Sequence, residues 1–84
     1  MSEEKLIGKI IHYYSNISVG IIELSDNLKI GEKIHIKGAT TDFKQAVDSM
    51  QIEHQSVETA RAGDSVGLKT GEKVKEGDEV FKLE

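Results

Sequence analysis

The hydrophobic positions at the start of the chain have the pattern of two β-strands joined by a turn. Residues 5–14 and 17–24 are rich in Ile, Val and Tyr, the β-branched and aromatic residues that favour strands. Ser15 and Asn16 lie between these segments, and Asn tolerates left-handed backbone angles, so we predict a turn there. Both segments are apolar on both faces in places, which suits a small barrel whose outer face is partly covered.

A short motif occurs three times after these strands: a basic residue, any residue, Gly, an acid, any residue, then Ile or Val at the start of a strand pattern. The copies occupy residues 29–37, 61–69 and 75–83. We predict a tight turn with positive φ or a close backbone approach at each glycine, feeding an alternating strand. The unequal spacing of the copies argues against a solenoid and for an all-β domain with recurring turns.

The first copy of the motif predicts a strand with one apolar face and one basic face. Its two isoleucines point to the core, and the polar side chains that alternate with them point to water. The water-facing set is Lys29, Lys33, His35 and Lys37. Three of these, Lys33, His35 and Lys37, are candidate residues for contact with RNA or a partner.

Residues 42–61 fit either a helix or a bent strand. A mostly apolar set of residues recurs at helical spacing, namely Phe43, Val47, Met50, His54 and Val57. Against a helix, Met50 and Ile52 alternate with polar residues, as in a strand, and residues 43–47 alternate with the opposite parity. A bulge near residues 48–49 would connect the two strand pieces. The periodicity by itself leaves both structures open.

Composition narrows the class of protein. The 84 residues suffice for one domain, 1–84, with a small core. The absence of cysteine excludes disulfides and thiolate zinc sites and makes the reducing cytoplasm the expected location. No apolar run approaches the roughly 20 residues of a membrane span, and the acidic start is unlike a secretory signal. Because the net charge is −4 and no lysine stripe offsets it, we expect weak RNA binding at most and no membrane partner.

The segment that leaves helix and strand open also carries a family resemblance. Residues 48–54, Asp-Ser-Met-Gln-Ile-Glu-His, and residues 57–68, Val-Glu-Thr-Ala-Arg-Ala-Gly-Asp-Ser-Val-Gly-Leu, resemble the second domain of translational GTPases such as elongation factor Tu. The turns at residues 28–34 and 75–80 are similar to turns of that domain in order and spacing. Near-identical barrels occur as stand-alone small proteins, the type that this chain resembles most, and as the C-terminal part of U32 peptidase-like proteins. The resemblance implies a small six-stranded Greek-key-type β-barrel in which residues 43–54 are a bent strand.

The sequence gives little support to an enzyme or a cofactor carrier. It has no G-x-x-x-x-G-K-[ST] phosphate loop, so we expect neither binding nor hydrolysis of GTP. His12, His35 and His54 lie far apart without Cys or acidic partners at metal-ligand spacing, so no metal or other cofactor is expected. The closing strands are similar to those of biotinyl and lipoyl carriers, but Ala60-Arg61 stands where the modified lysine would be. We predict a protein that is not an enzyme, with a carrier-like domain lacking the modified lysine as one alternative.

Two adjacent tyrosines are the further candidates for binding. Tyr13 and Tyr14 cannot both face a small core, so we expect one to be exposed. There it stacks on a nucleic-acid base, anchors a partner protein or covers the open end of the barrel. We predict a non-catalytic binding module that docks onto an unknown protein or ribonucleoprotein in a translation-related context. Direct binding of tRNA or ribosomal RNA is the other alternative.

Overall fold

The computed structural model describes residues 4–53 and 55–83, which form ten strands and no helix, and hence no helix that could cross a membrane. The strands are β1 (Glu4–Tyr14), β2 (Val19–Leu24), β3 (Leu28–Lys29), β4 (Lys33–Lys37), β5 (Asp42–Ala46), β6 (Met50–Ile52), β7 (Gln55–Val57), β8 (Thr59–Ala60), β9 (Ser65–Lys69) and β10 (Glu79–Leu83). The prediction of an all-β fold is confirmed. The described residues between 42 and 61 contain β5 to β8, so the strand interpretation of this segment is right and the helix interpretation is wrong.

Eight strands form one antiparallel sheet in the order β5-β4-β10-β1-β2-β9-β6-β7, while β3 and β8 form a separate pair. Ile36 of β4 and Met50 of β6 stand near opposite ends of this order, yet both belong to the same buried cluster. The sheet is therefore strongly curved around one core. The predicted small β-barrel-like fold is confirmed. In the described residues no ladder joins β5 to β7, so the curled sheet is not closed, and it is built from more and shorter strands than the six predicted.

The sheet stays open because the chain leaves β5 for another partner. After Ala46 the backbone turns inward, and the side chain of Val47 is fully buried. The N–H of Val47 donates to the carbonyl of Glu32 at 2.8 Å, and its carbonyl accepts from the N–H of Gly31 at 3.0 Å. These bonds attach the end of β5 to the turn before β4 and take the place of further pairing with a neighbouring strand.

A register shift in β1 decides which of its side chains reach the surface. The pairing with β2 shifts between Ile10 and His12. Ile10 lies in the core, whereas Ile11 is 38% exposed. Beyond the shift, Tyr13 is half-buried and packs against the core, and Tyr14 points outward.

The three repeated motifs form the same turn. Their glycines have positive φ, as predicted: 95° at Gly31, 93° at Gly63 and 94° at Gly77. In each copy the carboxylate of the acid accepts a hydrogen bond, at 2.8 or 2.9 Å, from the backbone N–H of the basic residue three positions earlier. Each glycine N–H donates to a carbonyl elsewhere in the fold, and these acceptors are Val47, Leu24 and Ile10. Each copy of the motif is thus a turn that is closed by a hydrogen bond between its own acid and its own backbone. A second bond, from the glycine N–H, joins the turn to the rest of the fold.

The turn between β1 and β2 differs from the prediction in one detail. The residue with positive φ is Ser18, at 56°, and not Asn16. The N–H of Ile17 donates to the carbonyl of Tyr14 at 3.2 Å. The turn is therefore longer than a two-residue connection and carries Ile17 at its outer edge.

Candidate interaction surface

The outer face of the β1–β2 hairpin carries an apolar patch. Tyr14 is paired across the strands with Val19, and His12 with Ile21. The rings of His12 and Tyr14 meet edge to face, with centroids 4.4 Å apart and planes at 66°. Tyr14 is 46% exposed and Ile17, in the adjoining turn, is 56% exposed. The expectation that one of the two tyrosines is exposed is confirmed, and Tyr14 is that residue.

This patch is one wall of an open groove of about 500 Å³. Strand β9 runs beneath the groove between β2 and β6. Its Gly67 is paired with Ile21 on one side and with Gln51 on the other. Because glycine has no side chain, the floor of the groove is low there and the side chains of Ile21 and Gln51 rise on either side. Glu53 and Ser65 complete the lining.

The exposed apolar side chains of the described residues are concentrated at this hairpin. Four of the five large ones, Leu6, Ile11, Tyr14 and Ile17, belong to β1 or the turn after it, and of these Tyr14 and Ile17 line the groove. Single exposed apolar residues are ordinary on protein surfaces, but a contiguous group marks an interaction site. The groove and its tyrosine wall therefore form the candidate interaction surface of this chain.

Unusual backbone angles border the same groove. The non-glycine residues with positive φ in the described part of the chain are Ser18, at 56°, and Glu53, at 51°. Ser18 stands between two residues that line the groove, and Glu53 lines it. Such angles cost an L-amino acid about 1–2 kcal/mol and concentrate where a protein binds or reacts. Ser18 lies in the turn that joins β1 to β2, and Glu53 directly follows β6, so each stands at the end of a strand that borders the groove.

The structure does not keep the predicted water-facing set, Lys29, Lys33, His35 and Lys37, on one exposed strand face. Lys33 and Lys37 are exposed on β4, but Lys29 lies on β3 and is paired with β8, so it does not share their strand face. The side chain of His35 is not exposed to water as predicted: the residue is 6% exposed. The prediction is wrong at His35 because side chains from other strands cover the outer face of β4.

Two carboxylates hold the imidazole of His35. Its Nδ1 lies 2.6 Å from Oε2 of Glu4, and its Nε2 is hydrogen-bonded to Oδ1 of Asp42. The other oxygen of Glu4 lies 3.3 Å from Nζ of Lys37. A neutral imidazole has a single N–H, so His35 donates to both carboxylates only as the imidazolium ion. We refer to Glu4, His35 and Asp42, which join β1, β4 and β5, as the histidine clamp.

The histidine clamp changes the ionisation of its members. The hydrogen bonds to Asp42 and then to Glu4 raise the pKa of His35, while desolvation opposes them. The pKa of Glu4 is lowered, chiefly by its hydrogen bond with His35, and the pKa of Asp42 is lowered for the same reason. Carboxylates thus stand among the cations of β4, so this edge presents mixed charge to a phosphate backbone.

The other histidines do not assemble a metal or catalytic site in the described residues. Nδ1 of His12 lies 3.2 Å from Oε2 of Glu76, and both side chains are substantially exposed. Within residues 4–53 and 55–83, no group of three His, Cys, Asp or Glu side chains is arranged so that it could hold a metal ion. The predicted position of His54 at a barrel rim lies outside the described residues. Both described histidines are bonded to carboxylates and neither to a serine or threonine hydroxyl.

Comparison with curated proteins finds relatives named as proteases. The chain is 46% identical over 78 residues to an uncharacterized protease of Methanocaldococcus jannaschii, an alignment that covers 92% of this chain and 19% of the relative. It is 33% identical over 84 residues to a collagenase of Porphyromonas gingivalis, covering 98% of this chain and 23% of the relative. The chain therefore spans about a fifth of the length of the curated relatives it matches. No protein-family profile matches it.

Solved structures show the same fold. The C-terminal domain of a U32 peptidase-like protein from Geobacillus thermoleovorans matches with a TM-score of 0.87 at 15% identity, over 93% of this chain and 91% of that domain. The selenomethionine variant of that domain gives a TM-score of 0.86 at 14% identity, over 90% and 96%. The predicted similarity to the C-terminal part of U32 peptidase-like proteins is confirmed at the level of fold. The resemblance to the second domain of translational GTPases stays a prediction.

Proposed function

We propose that this domain is a non-catalytic module that docks onto a partner protein through the groove beside Tyr14. The observation that carries the proposal is the group of exposed apolar side chains on one wall of the groove, facing an open floor at Gly67. A large amphipathic ring such as Tyr14 contributes strongly to an interface when a partner desolvates it.

The names of the relatives extend this proposal. Relatives of this chain are named as a protease and a collagenase. The proposal is therefore that the domain is a binding module of protease-type proteins and does not itself cleave the substrate. In the described residues the histidines bond only to carboxylates, which supports a non-catalytic role because a nucleophile needs an adjacent base. The translation-related setting implied by the resemblance to elongation factor Tu would make the partner a ribonucleoprotein instead.

Site-specific photocrosslinking in cells that produce the protein tests the docking proposal. A benzophenone amino acid is placed at Tyr14, and at Ile30 as a matched control, because Ile30 is also an exposed apolar residue, at 41%. We expect a discrete protein adduct from position 14 that disappears when Ile17 is replaced by Ser. Equal adducts from positions 14 and 30, or an adduct that consists of RNA, would contradict the proposal.

A hydrolysis assay tests the non-catalytic part. The purified chain is incubated with gelatin and with casein, and new amino termini are counted. We expect no release above that of a heat-unfolded sample. Cleavage by the folded chain that persists through repeated purification would show that the chain is itself a protease.

A further inference from the structure

We infer that the groove beside Tyr14 receives an extended peptide segment that carries alternating aliphatic side chains and, at one end, a basic side chain. This inference rests on the proposed docking function and names its partner more closely. Three properties of the groove carry it: its width, the distribution of apolar surface and the charge at its two ends.

The width of the groove selects an extended segment. Its two sides are β2 and β6, which are separated only by β9. Neighbouring strands lie about 4.8 Å apart, so the axes of β2 and β6 are roughly 9.6 Å apart. The side chains of Val19 and Ile21 narrow the opening further, since Cγ1 of Val19 and Cδ1 of Ile21 lie 3.4 and 3.5 Å from where a Cβ on Gly67 would be. A helix with its side chains is about 10–12 Å across and does not enter, whereas one row of side chains from an extended segment does.

The apolar surface lies on one side only. Tyr14, Ile17, Val19 and Ile21 belong to the β1–β2 hairpin, while the opposite side consists of Gln51 and Glu53. A ligand therefore meets aliphatic and aromatic surface with one row of its side chains and polar groups with its backbone. In an extended segment, residues i and i+2 point the same way. Aliphatic residues at this spacing match the wall formed by Val19 and Ile21.

The charge of the groove differs between its ends. At the Ser65 end stand Glu53, which lines the groove, and Glu23, which is paired with Ser65. At the other end Lys69 is paired with Val19, the cross-strand partner of Tyr14. A ligand with a basic side chain at the Ser65 end complements this arrangement. Lys9 is paired with Glu23 across β1 and β2, so Glu53 is the more available carboxylate of the two.

The same charges disfavour other occupants. A second copy of this chain carries a net charge of −4 and would bring like charge to the acidic end. RNA would bring phosphates to Glu53 and Glu23. Like charges brought together disfavour a partner. Binding of a second copy of the chain or of RNA in this groove would therefore contradict the inference.

Fluorescence polarisation with three synthetic peptides tests the inference. The first alternates Leu and Ile with Ser and ends in Arg; the second replaces the Arg with Glu; the third keeps the Arg and replaces Leu and Ile with Ser. We expect the first to bind about fivefold more tightly than the second at low salt, a preference that 0.5 M salt removes. We expect the third not to bind. Equal binding of the first two peptides would overturn the basic-residue inference.

Protein variants separate this inference from the docking proposal. Glu53→Lys is expected to reverse the preference between the Arg and Glu peptides, whereas Glu58→Lys, at an exposed acid outside this groove, leaves it unchanged. Gly67→Val fills the floor and is expected to abolish binding of every peptide. If Gly67→Val alters the circular dichroism spectrum, Gly67→Ala replaces it, because its Cβ would meet Val19 and Ile21 at 3.4 and 3.5 Å, near the lower limit of ordinary contact.

The outcomes are distinguishable. One outcome is that peptides bind, that Gly67→Val abolishes this binding, and that the Arg and Glu peptides bind equally. This outcome would support the groove as a docking surface but would contradict the preference for a basic side chain. Binding that survives Gly67→Val refutes both the segment and the groove. If none of the peptides binds while crosslinks from position 14 persist, the extended-segment inference fails and the docking proposal stands. A self-association constant that falls in Gly67→Val would assign the groove to a second copy of the chain.

Discussion

The side-chain carbonyl of Gln45 accepts a hydrogen bond of 2.8 Å from the backbone N–H of Gly71. The amide nitrogen of the same side chain donates to the carbonyl of Lys69 at 2.9 Å. Gln45 is on β5, at one end of the sheet order, and Lys69 ends β9, near the other. One primary amide thus presents a donor and an acceptor to a neighbouring backbone, as a peptide group of an adjacent strand would.

Replacing Gln45 by Glu tests whether this contact stabilises the fold. The carboxylate keeps an acceptor for Gly71 but places a second oxygen against the carbonyl of Lys69, so the donor is lost. We expect the free energy of unfolding to fall by about 1–2 kcal/mol. Urea denaturation measures the change, and Gln55→Glu, at an exposed position of β7, is the matched control. Equal effects at positions 45 and 55 would show that the added charge, and not the lost bond, is responsible.

The repeated turns lead to a second prediction, at Gly63. An L-alanine there must adopt a φ of 93°, although no atom lies within 4 Å of where its Cβ would be. The expected cost of Gly63→Ala is therefore backbone strain alone, about 1 kcal/mol or more. Gly71→Ala is the control, because its nearest contact is 3.7 Å away and its backbone needs no positive φ. Thermal unfolding of the two variants should separate them, and equal stabilities would contradict the strain argument.

The histidine clamp predicts how stability depends on pH. The pKa of His35 is raised in the folded chain, so its contribution is complete below the unfolded value of 6.5 and is lost as the pH rises through the folded pKa. The pKa values of Glu4 and Asp42 are lowered, so their contributions are present above the unfolded values of 4.5 and 3.8 and are lost as the pH falls through the folded ones. The clamp therefore stabilises the fold most between about pH 4.5 and 6.5.

Urea midpoints at pH 5.5, 7.0 and 8.5 test this dependence. We expect the midpoint to fall across the series in the wild type and to be nearly constant in His35→Gln, which cannot become an imidazolium ion. His12→Gln is the control, because His12 is exposed and its contact with Glu76 is 3.2 Å long. A midpoint that rises from pH 5.5 to 8.5 would reverse the sign that the clamp requires.

The mixed charge around β4 predicts weak RNA binding. With about three phosphate contacts, the log-log dependence of affinity on salt should have a slope of about −2 to −3. Replacing both Lys33 and Lys37 with Glu is expected to abolish the binding that remains, while the same change at Lys73 and Lys75, which are also exposed, has a smaller effect. Titration of fluorescent tRNA at two salt concentrations measures it. Submicromolar affinity at physiological salt, lost only in the first variant, would favour the RNA alternative.

Local patterns in the sequence predict the turns well because each turn is completed by its own residues. The motif around Gly63 contains the glycine that needs positive φ and, in Asp64, the carboxylate that bonds to the N–H of Arg61. The bond from Gly63 to the carbonyl of Leu24 joins the turn to β2, but the turn itself is closed by these neighbouring residues. The strand interpretation of residues 42–61 depended instead on a family resemblance, because their periodicity fits a helix as well.

The outer faces were harder to predict, because distant strands build them. His35 alternates with two isoleucines like a surface residue, but Glu4, which is 31 positions away in sequence, and Asp42 cover it. The groove has the same origin. The sequence predicts an exposed tyrosine at this wall but indicates only a strand at Val19 and Ile21, because the floor at Gly67 comes from β9, which lies far along the chain from β2. The excess of apolar residues on the outer face of β2 was the available signal.

The pairing of the first and last strands has a consequence for how this sequence can be rearranged. Glu4 of β1 is opposite Leu83 of β10, so the two ends of the described chain are neighbours. A short linker could join them, and new termini could be opened in the exposed segment at residues 71–73. Such a circular permutant would keep every ladder of the sheet. In the natural order, by contrast, the β1–β10 ladder forms only after nearly the whole domain has left the ribosome.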